Sequence, residues 1–175
     1  MRGTLGDNIH DYYYNPIELG WGHSIDWEHE FVGKEALKKI AAGNPRKPVT
    51  LNWNAEDVLD VYASYLRDEG EPYMFMAFPR GDEEHGNFQL KVVDKQGKAV
   101  GASMGRTYTL YQRKTISFGV LNADAAALGN EVVVLWGDRD KHPVKHIRAQ
   151  VAKFPSLDMV RNEDYDLESI PHFKK

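Results

Sequence analysis

The sequence predicts a mainly β protein, an antiparallel barrel or sandwich with a few helices. Short apolar runs recur at close spacing from Tyr73 to Ala152, and the turns between them carry glycine. Helical periodicity is confined to two early segments. Runs separated by such tight turns pair with their neighbours, whereas a βαβ sheet needs a crossover of about a dozen residues after each strand.

The first thirty residues are irregular but apolar. Tyr12, Tyr13, Tyr14, Ile17, Leu19, Trp21, Ile25 and Trp27 alternate with Gly3, Gly6, Pro16, Gly20 and Gly22, which break any period. Residues 33–42 read as a short helix with Ala36, Leu37 and Ile40 on one stripe, ended by Gly43 and Pro45. Residues 47–53 alternate Val49, Leu51 and Trp53 against Thr50 and Asn52, the pattern of a half-buried strand. Asn54, with Asp57 three residues on, caps a second helix to about Arg67, whose apolar face is Val58, Leu59, Val61, Tyr62, Tyr65 and Leu66. Strands are then expected at 73–78, 88–94, 99–104, 115–121, 131–136 and 144–152. Lys95, Gln96, Gly97 and Lys98 make a hairpin turn with glycine where φ must be positive, and 122–129 is a short Ala-rich helical turn.

Composition bounds the function. The chain has 175 residues, 42% hydrophobic and 11% aromatic, enough for one domain with a real core and too apolar for disorder. Lys plus Arg number 22 against 26 Asp plus Glu, a formal charge of −4. A duplex-binding surface needs a cationic surplus, so no nucleic-acid partner is expected. The absence of cysteine removes disulfides, thiolate metal sites and cysteine nucleophiles together. No apolar run approaches the roughly 20 residues of a membrane helix, and the N-terminus has no apolar leader core. A cytoplasmic protein with no membrane partner is expected.

Three clusters carry potential chemistry. His23, Asp26, Glu28, His29 and Glu30 offer nitrogen and oxygen donors, but at no recognised ligand spacing; an acidic surface turn is the simpler reading, and no metal is assigned. Lys141, His142, Lys145, His146 and Arg148 form the one basic stretch, yet a strand would split them between two faces, as at a solvated hairpin end. Arg106, Tyr108, Tyr111, Arg113 and Lys114 sit in a loop between two strands. Two guanidiniums and two phenols can clamp a carboxylate and stack on a planar ring; the same residues would also suit a plain surface loop.

Two blocks go further. Asn15-Pro16-Ile17-Glu18-Leu19-Gly20-Trp21-Gly22, then Glu30-Phe31-Val32-Gly33-Lys34-Glu35-Ala36-Leu37, resembles the NPxExGL and DFIGKEAL junction of the glycine-cleavage T-protein (aminomethyltransferase) family. Arg46-Lys47-Pro48-Val49-Thr50-Leu51 is similar to the first strand of that family's C-terminal barrel. The second block runs from Asp94 through Gly105 and from Lys114 to Val120; the stretches 129–134 and 149–155 are similar to the family's last strands and closing motif. Together the blocks cover most of positions 15–155. An insertion at 54–87, and Ser103-Met104-Gly105-Arg106 with Thr109-Leu110 in place of the family's Ser-Gly and Ser-Pro, resemble the branch of tetrahydrofolate-dependent O-demethylases of methoxylated aromatic acids.

The resemblance implies a Greek-key-like barrel of the T-protein C-terminal type. It implies that residues 1–43 end the folate-binding domain and junction helix, that 44–155 form the barrel, and that 156–175 are a tail. Tetrahydrofolate would be the cofactor, bound mainly by N-terminal domains of the same polypeptide or of a partner subunit, with a small aromatic methyl donor as substrate. This chain would close the folate cavity and supply no catalytic residue, so alone it would be inactive. Arg106, Arg113 and Tyr165 are the expected contacts to a folate tail or substrate carboxylate. The stretch 12–27 would leave an exposed apolar patch unless partner domains or a second copy, in a homodimer, covered it. A stand-alone ligand-binding or interaction module derived from the same barrel is the alternative, and a subunit completing an enzyme in trans is a third.

Overall fold

The computed structural model describes residues 2–79, 88–138 and 141–157. Six strands close an antiparallel barrel: β1 (Lys47–Trp53), β2 (Leu90–Val93), β3 (Ala99–Thr109), β4 (Lys114–Leu121), β5 (Glu131–Trp136) and β6 (Lys145–Ala152). Round the barrel the order is β1, β4, β3, β2, β5, β6, and β6 pairs back to β1. β2, β3 and β4 are joined by hairpins, while β1 lies beside β4 after a long connection, which is a Greek key. The expected fold class is borne out.

Alternation fills the barrel. Val49, Leu51 and Trp53 of β1, Val132, Val134 and Trp136 of β5, and Ile147, Ala149 and Val151 of β6 are buried in one core. Trp53 Nε1 donates to Ser117 Oγ at 2.9 Å and Ser103 Oγ donates to Ser117 Oγ at 2.8 Å, so these buried polar groups are satisfied. Gly101 lets β3 lie this close to β4, because a Cβ there would fall 2.1 Å from the Val120 carbonyl oxygen.

Helix α1 (Lys34–Ala42) starts after Gly33 and helix α2 (Ala55–Ser64) starts at Asn54, whose side chain accepts from Asp57 N–H as the sequence indicates. Of the stripe expected on α1 only Leu37 is buried; Ile40 is exposed. α2 buries Val58 and Val61 against the barrel and leaves Leu59 outside; it ends at Ser64, short of the expected Arg67, and Leu66 beyond it is exposed. Residues 122–129 form turns, with the Ala126 N–H closing onto the Asn122 carbonyl at 3.0 Å.

The apolar run 73–78 is not a strand. It is an extended strap across the barrel mouth, with Met74 and Met76 buried in the core and Phe75 and Phe78 exposed. The barrel is already closed and offers no edge, so side chains bind the strap's backbone: Trp136 Nε1 and Tyr65 OH donate to the Met74 carbonyl at 2.9 and 3.0 Å, and Met76 N–H donates to Tyr65 OH at 2.7 Å.

The N-terminal segment packs on the barrel wall. Asp138 accepts from Gly3 N–H at 3.0 Å and from Arg2 Nε at 3.1 Å, and Lys91 N–H donates to Thr4 Oγ1 at 3.0 Å. The Asn15–Glu18 motif closes on itself: Asn15 Oδ1 accepts from the Ile17 and Glu18 N–H groups, and Glu18 accepts from Asn15 N–H. Glu18 then takes Arg46 Nε at 2.7 Å and Nη2 at 3.1 Å, tying the junction to the start of β1. Tyr13 and Trp21 remain exposed at 60% and 67%, which is what is left of the patch expected over 12–27.

Candidate functional site

Sequence reading placed Arg106 to Lys114 in one loop; the structure divides them. β3 continues to Thr109, and Arg106 and Tyr108 belong to it. The register shifts between Met104 and Thr107, where Gly105 takes φ +61°, and this bulge turns Arg106 into the barrel mouth. Arg106 is buried, with Nη2 donating to the Ala77 carbonyl at 2.9 Å and Nη1 to the Pro79 carbonyl at 3.2 Å. Its guanidinium lies 5.5 Å from the centroid of the Trp136 ring.

The tip of the β3–β4 arm is different. Tyr111 is 90% exposed, and Arg113 and Lys114 are exposed beside it. Arg113 has φ 53°, a left-handed conformation that a long side chain seldom adopts. Behind the tip, Gln112 Nε2 donates to the Ser156 carbonyl at 2.8 Å, and its buried Oε1 has no hydrogen-bond partner among the described residues. Tyr108 packs on Phe78 with ring centroids 4.9 Å apart. The arm therefore offers one exposed ring and one exposed guanidinium, a pair able to stack on a planar ligand and meet a carboxylate. Arg106 does not join Arg113 there. Tyr165 lies outside the described residues.

The other two clusters are partly paired within the fold. Among the described residues no group of three His, Asp or Glu is placed to hold a metal ion. Asp26 Oδ1 accepts from Glu28 N–H at 2.9 Å, and Glu30 pairs with Lys34 at 2.8 Å. The basic stretch is paired with α2: Asp57 takes Arg148 Nε and Nη2, both at 2.9 Å, and Lys145 Nζ donates to Asp60 at 2.7 Å. Those partners lie so far along the chain that spacing gave no hint of them.

The ion pairs set an acid limit. Hydrogen bonds from the Arg148 side chain, and then from its N–H, hold the Asp57 carboxyl below its usual 3.8. Burial pushes Asp138 up, but Gly3 N–H, Arg2 and Lys141 outweigh it and hold that carboxyl below 3.8 as well. A depressed folded-state pKa adds stability that is complete above the unfolded value and lost as the pH falls. The melting temperature should drop between about pH 5 and about pH 3, and drop less in Asp57→Asn, which has no carboxylate there to protonate. Equal drops would show that the Asp57 pair adds nothing to folding.

No protein-family model matches the chain. It is homologous over nearly its whole length to sesamin methylene transferase of Sinomonas sp. (strain No.22), at 36% identity over 97% of this chain and 39% of the relative. Syringate O-demethylase of Sphingobium sp. (strain SYK-6) is 31% identical over 85% of this chain and 34% of its own length. The chain thus spans between a third and two fifths of the curated relatives it matches. Among solved structures it is similar to the glycine cleavage system aminomethyltransferase T of Bartonella henselae, at 16% identity and a TM-score of 0.47, over 82% of this chain and 32% of that one. The resemblance drawn from the junction and barrel blocks is borne out by the two curated relatives.

Proposed function

We propose that this chain is the C-terminal barrel domain of a tetrahydrofolate-dependent transferase that removes a one-carbon unit from the oxygen of a methoxylated aromatic compound. The observation that carries this reading is the match along 97% and 85% of the chain to a methylene transferase and an O-demethylase, each more than twice as long. The barrel interior supports a closing role and not a catalytic one, because side chains fill it and the strap seals its mouth. A packed barrel holds no cofactor, so folate would be bound mainly by the rest of the polypeptide, with Tyr13 and Trp21 of the junction facing it. Of the expected contacts, Arg113 with Tyr111 is the pair free to meet a folate tail or substrate carboxylate; Arg106 acts through the strap.

The test needs the full-length polypeptide and this chain side by side. Full-length protein should bind tetrahydrofolate and demethylate a methoxybenzoate, while the 175-residue chain should do neither. Turnover by the chain alone, or a full-length protein that binds no tetrahydrofolate, overturns the proposal. In the full-length protein, Arg113→Ala should weaken tetrahydrofolate by roughly tenfold or more, the loss of a charge-assisted hydrogen bond worth about 1.5–3 kcal/mol. Unchanged affinity in calorimetry would mean that the arm does not touch the cofactor.

A further inference from the structure

The tip of the β3–β4 arm is apolar and cationic at once. Leu110 and Tyr111 are 77% and 90% exposed, and Phe78, packed on Tyr108 at the base of the arm, is exposed too. Arg113 and Lys114 stand in solvent beside them, and among the described residues neither meets a carboxylate. Exposed apolar side chains next to uncompensated cations suit an anionic partner that carries apolar groups of its own.

The chain itself carries such a partner. Gln112 Nε2 holds the Ser156 carbonyl at 2.8 Å, so the run that continues into 158–175 leaves from the arm. Residues 158–175 lie outside the described ones, but their composition is plain. Glu163, Asp164, Asp166 and Glu168 fall together with no lysine or arginine among them, and Tyr165 and Leu167 alternate with these acids. Extended chain from Ser156 to Asp164 reaches up to about 26 Å. That covers the distance, because the tip is built from the immediate neighbours of Gln112.

We propose that the acidic segment 163–168 docks on the tip of the arm, its carboxylates on Arg113 and Lys114 and its Tyr165 and Leu167 against Leu110 and Tyr111. Exposed ion pairs hold little singly, so the apolar contact and the tether matter as much as the charge. A segment tied at Ser156 stays at an effective concentration of the order of millimolar, and a contact of only millimolar strength fills the site. The buried Gln112 Oε1, without a partner among the described residues, gains a donor when an N–H beyond Ser156 lies along the arm. The contact stands whether or not the arm meets folate in the full-length protein. If it does, a folate tail and the segment exclude one another on Arg113.

The sequence has no cysteine, so Ser169→Cys places a single nitroxide on the 175-residue chain. In ¹⁵N spectra the label should broaden the amides of 110–114 and leave Gln96 and Gly97, at the opposite end of β3, sharp. An undocked label on the same tether also relaxes nearby amides, so the charges decide. Arg113→Ser with Lys114→Ser should lose most of the broadening, and so should salt at about 1 M, where the Debye length is about 3 Å. Arg113→Glu with Lys114→Glu should lose it as well. Adding Glu163→Lys, Asp164→Lys, Asp166→Lys and Glu168→Lys to that pair should bring it back, which a damaged arm could not do. Broadening that is absent in the parent, survives the serine variants or fails to return in the swapped set overturns the proposal. Broadening of an unlabelled ¹⁵N chain mixed with nitroxide-bearing ¹⁴N chain overturns it too, because the contact would then lie between copies.

Discussion

Trp136→Ala should lower the stability of the chain by about 3–5 kcal/mol, read as a fall in the urea midpoint followed by circular dichroism. Trp136 is fully buried on β5 and touches every layer of the barrel mouth. The Trp53 ring lies 5.9 Å away and the Phe88 ring 6.2 Å, both edge to face, and the Arg106 guanidinium covers its face at 5.5 Å. The cavity term dominates the loss, because the ring is hemmed in by a closed sheet and a tethered strap that cannot collapse onto alanine. The hydrogen bond matters less. Met74's carbonyl would keep the Tyr65 hydroxyl after losing the indole N–H, so no buried acceptor is orphaned. Trp136→Phe, which fills most of the space, should therefore cost much less than Trp136→Ala. Equal costs for the two variants would mean that the indole N–H, not the packing, holds the mouth.

Much of the barrel was legible because its strands obey local rules. Val49, Leu51 and Trp53 alternate as a wall with one wet side must, and the turn at Gly97 closes on Asp94, whose Oδ1 accepts from the Gln96 and Lys98 N–H groups. The strap misled for a physical reason. Its alternation of Met74 and Met76 against Phe75 is genuine, but periodicity reports burial and not the identity of the hydrogen-bond partner. The candidate loop failed differently. A single glycine bulge at Gly105 shifts β3 by one residue, and that shift decides whether Arg106 points at solvent or into the mouth. Arg113 stayed where the sequence put it, since turns between paired strands are set locally.

Arg106→Met should cost about 2–4 kcal/mol and loosen the strap before the barrel unfolds. The two carbonyls do not lose equally. Pro79's oxygen also accepts from the Tyr108 N–H at 3.0 Å and would keep that bond, whereas Ala77's oxygen would lose Nη2 at 2.9 Å in a half-buried setting. An acceptor stranded in that way costs about 1–3 kcal/mol, and the lost cation–π contact with Trp136 adds about 0.5–2 kcal/mol. Arg106→Lys keeps the charge over the ring but not the planar fork that spans both carbonyls, so it should fall between the parent and Arg106→Met. Brief proteolysis followed by mass spectrometry should show cleavage within 71–79 appearing early in Arg106→Met and late in the parent, because local opening of the strap no longer breaks two charged hydrogen bonds. The competing role makes the opposite forecast: an Arg106 that serves mainly as a carboxylate contact would leave stability and strap cleavage unchanged on substitution and weaken only ligand binding. The burial of the guanidinium under Trp136 and its two bonds to the strap favour the first outcome.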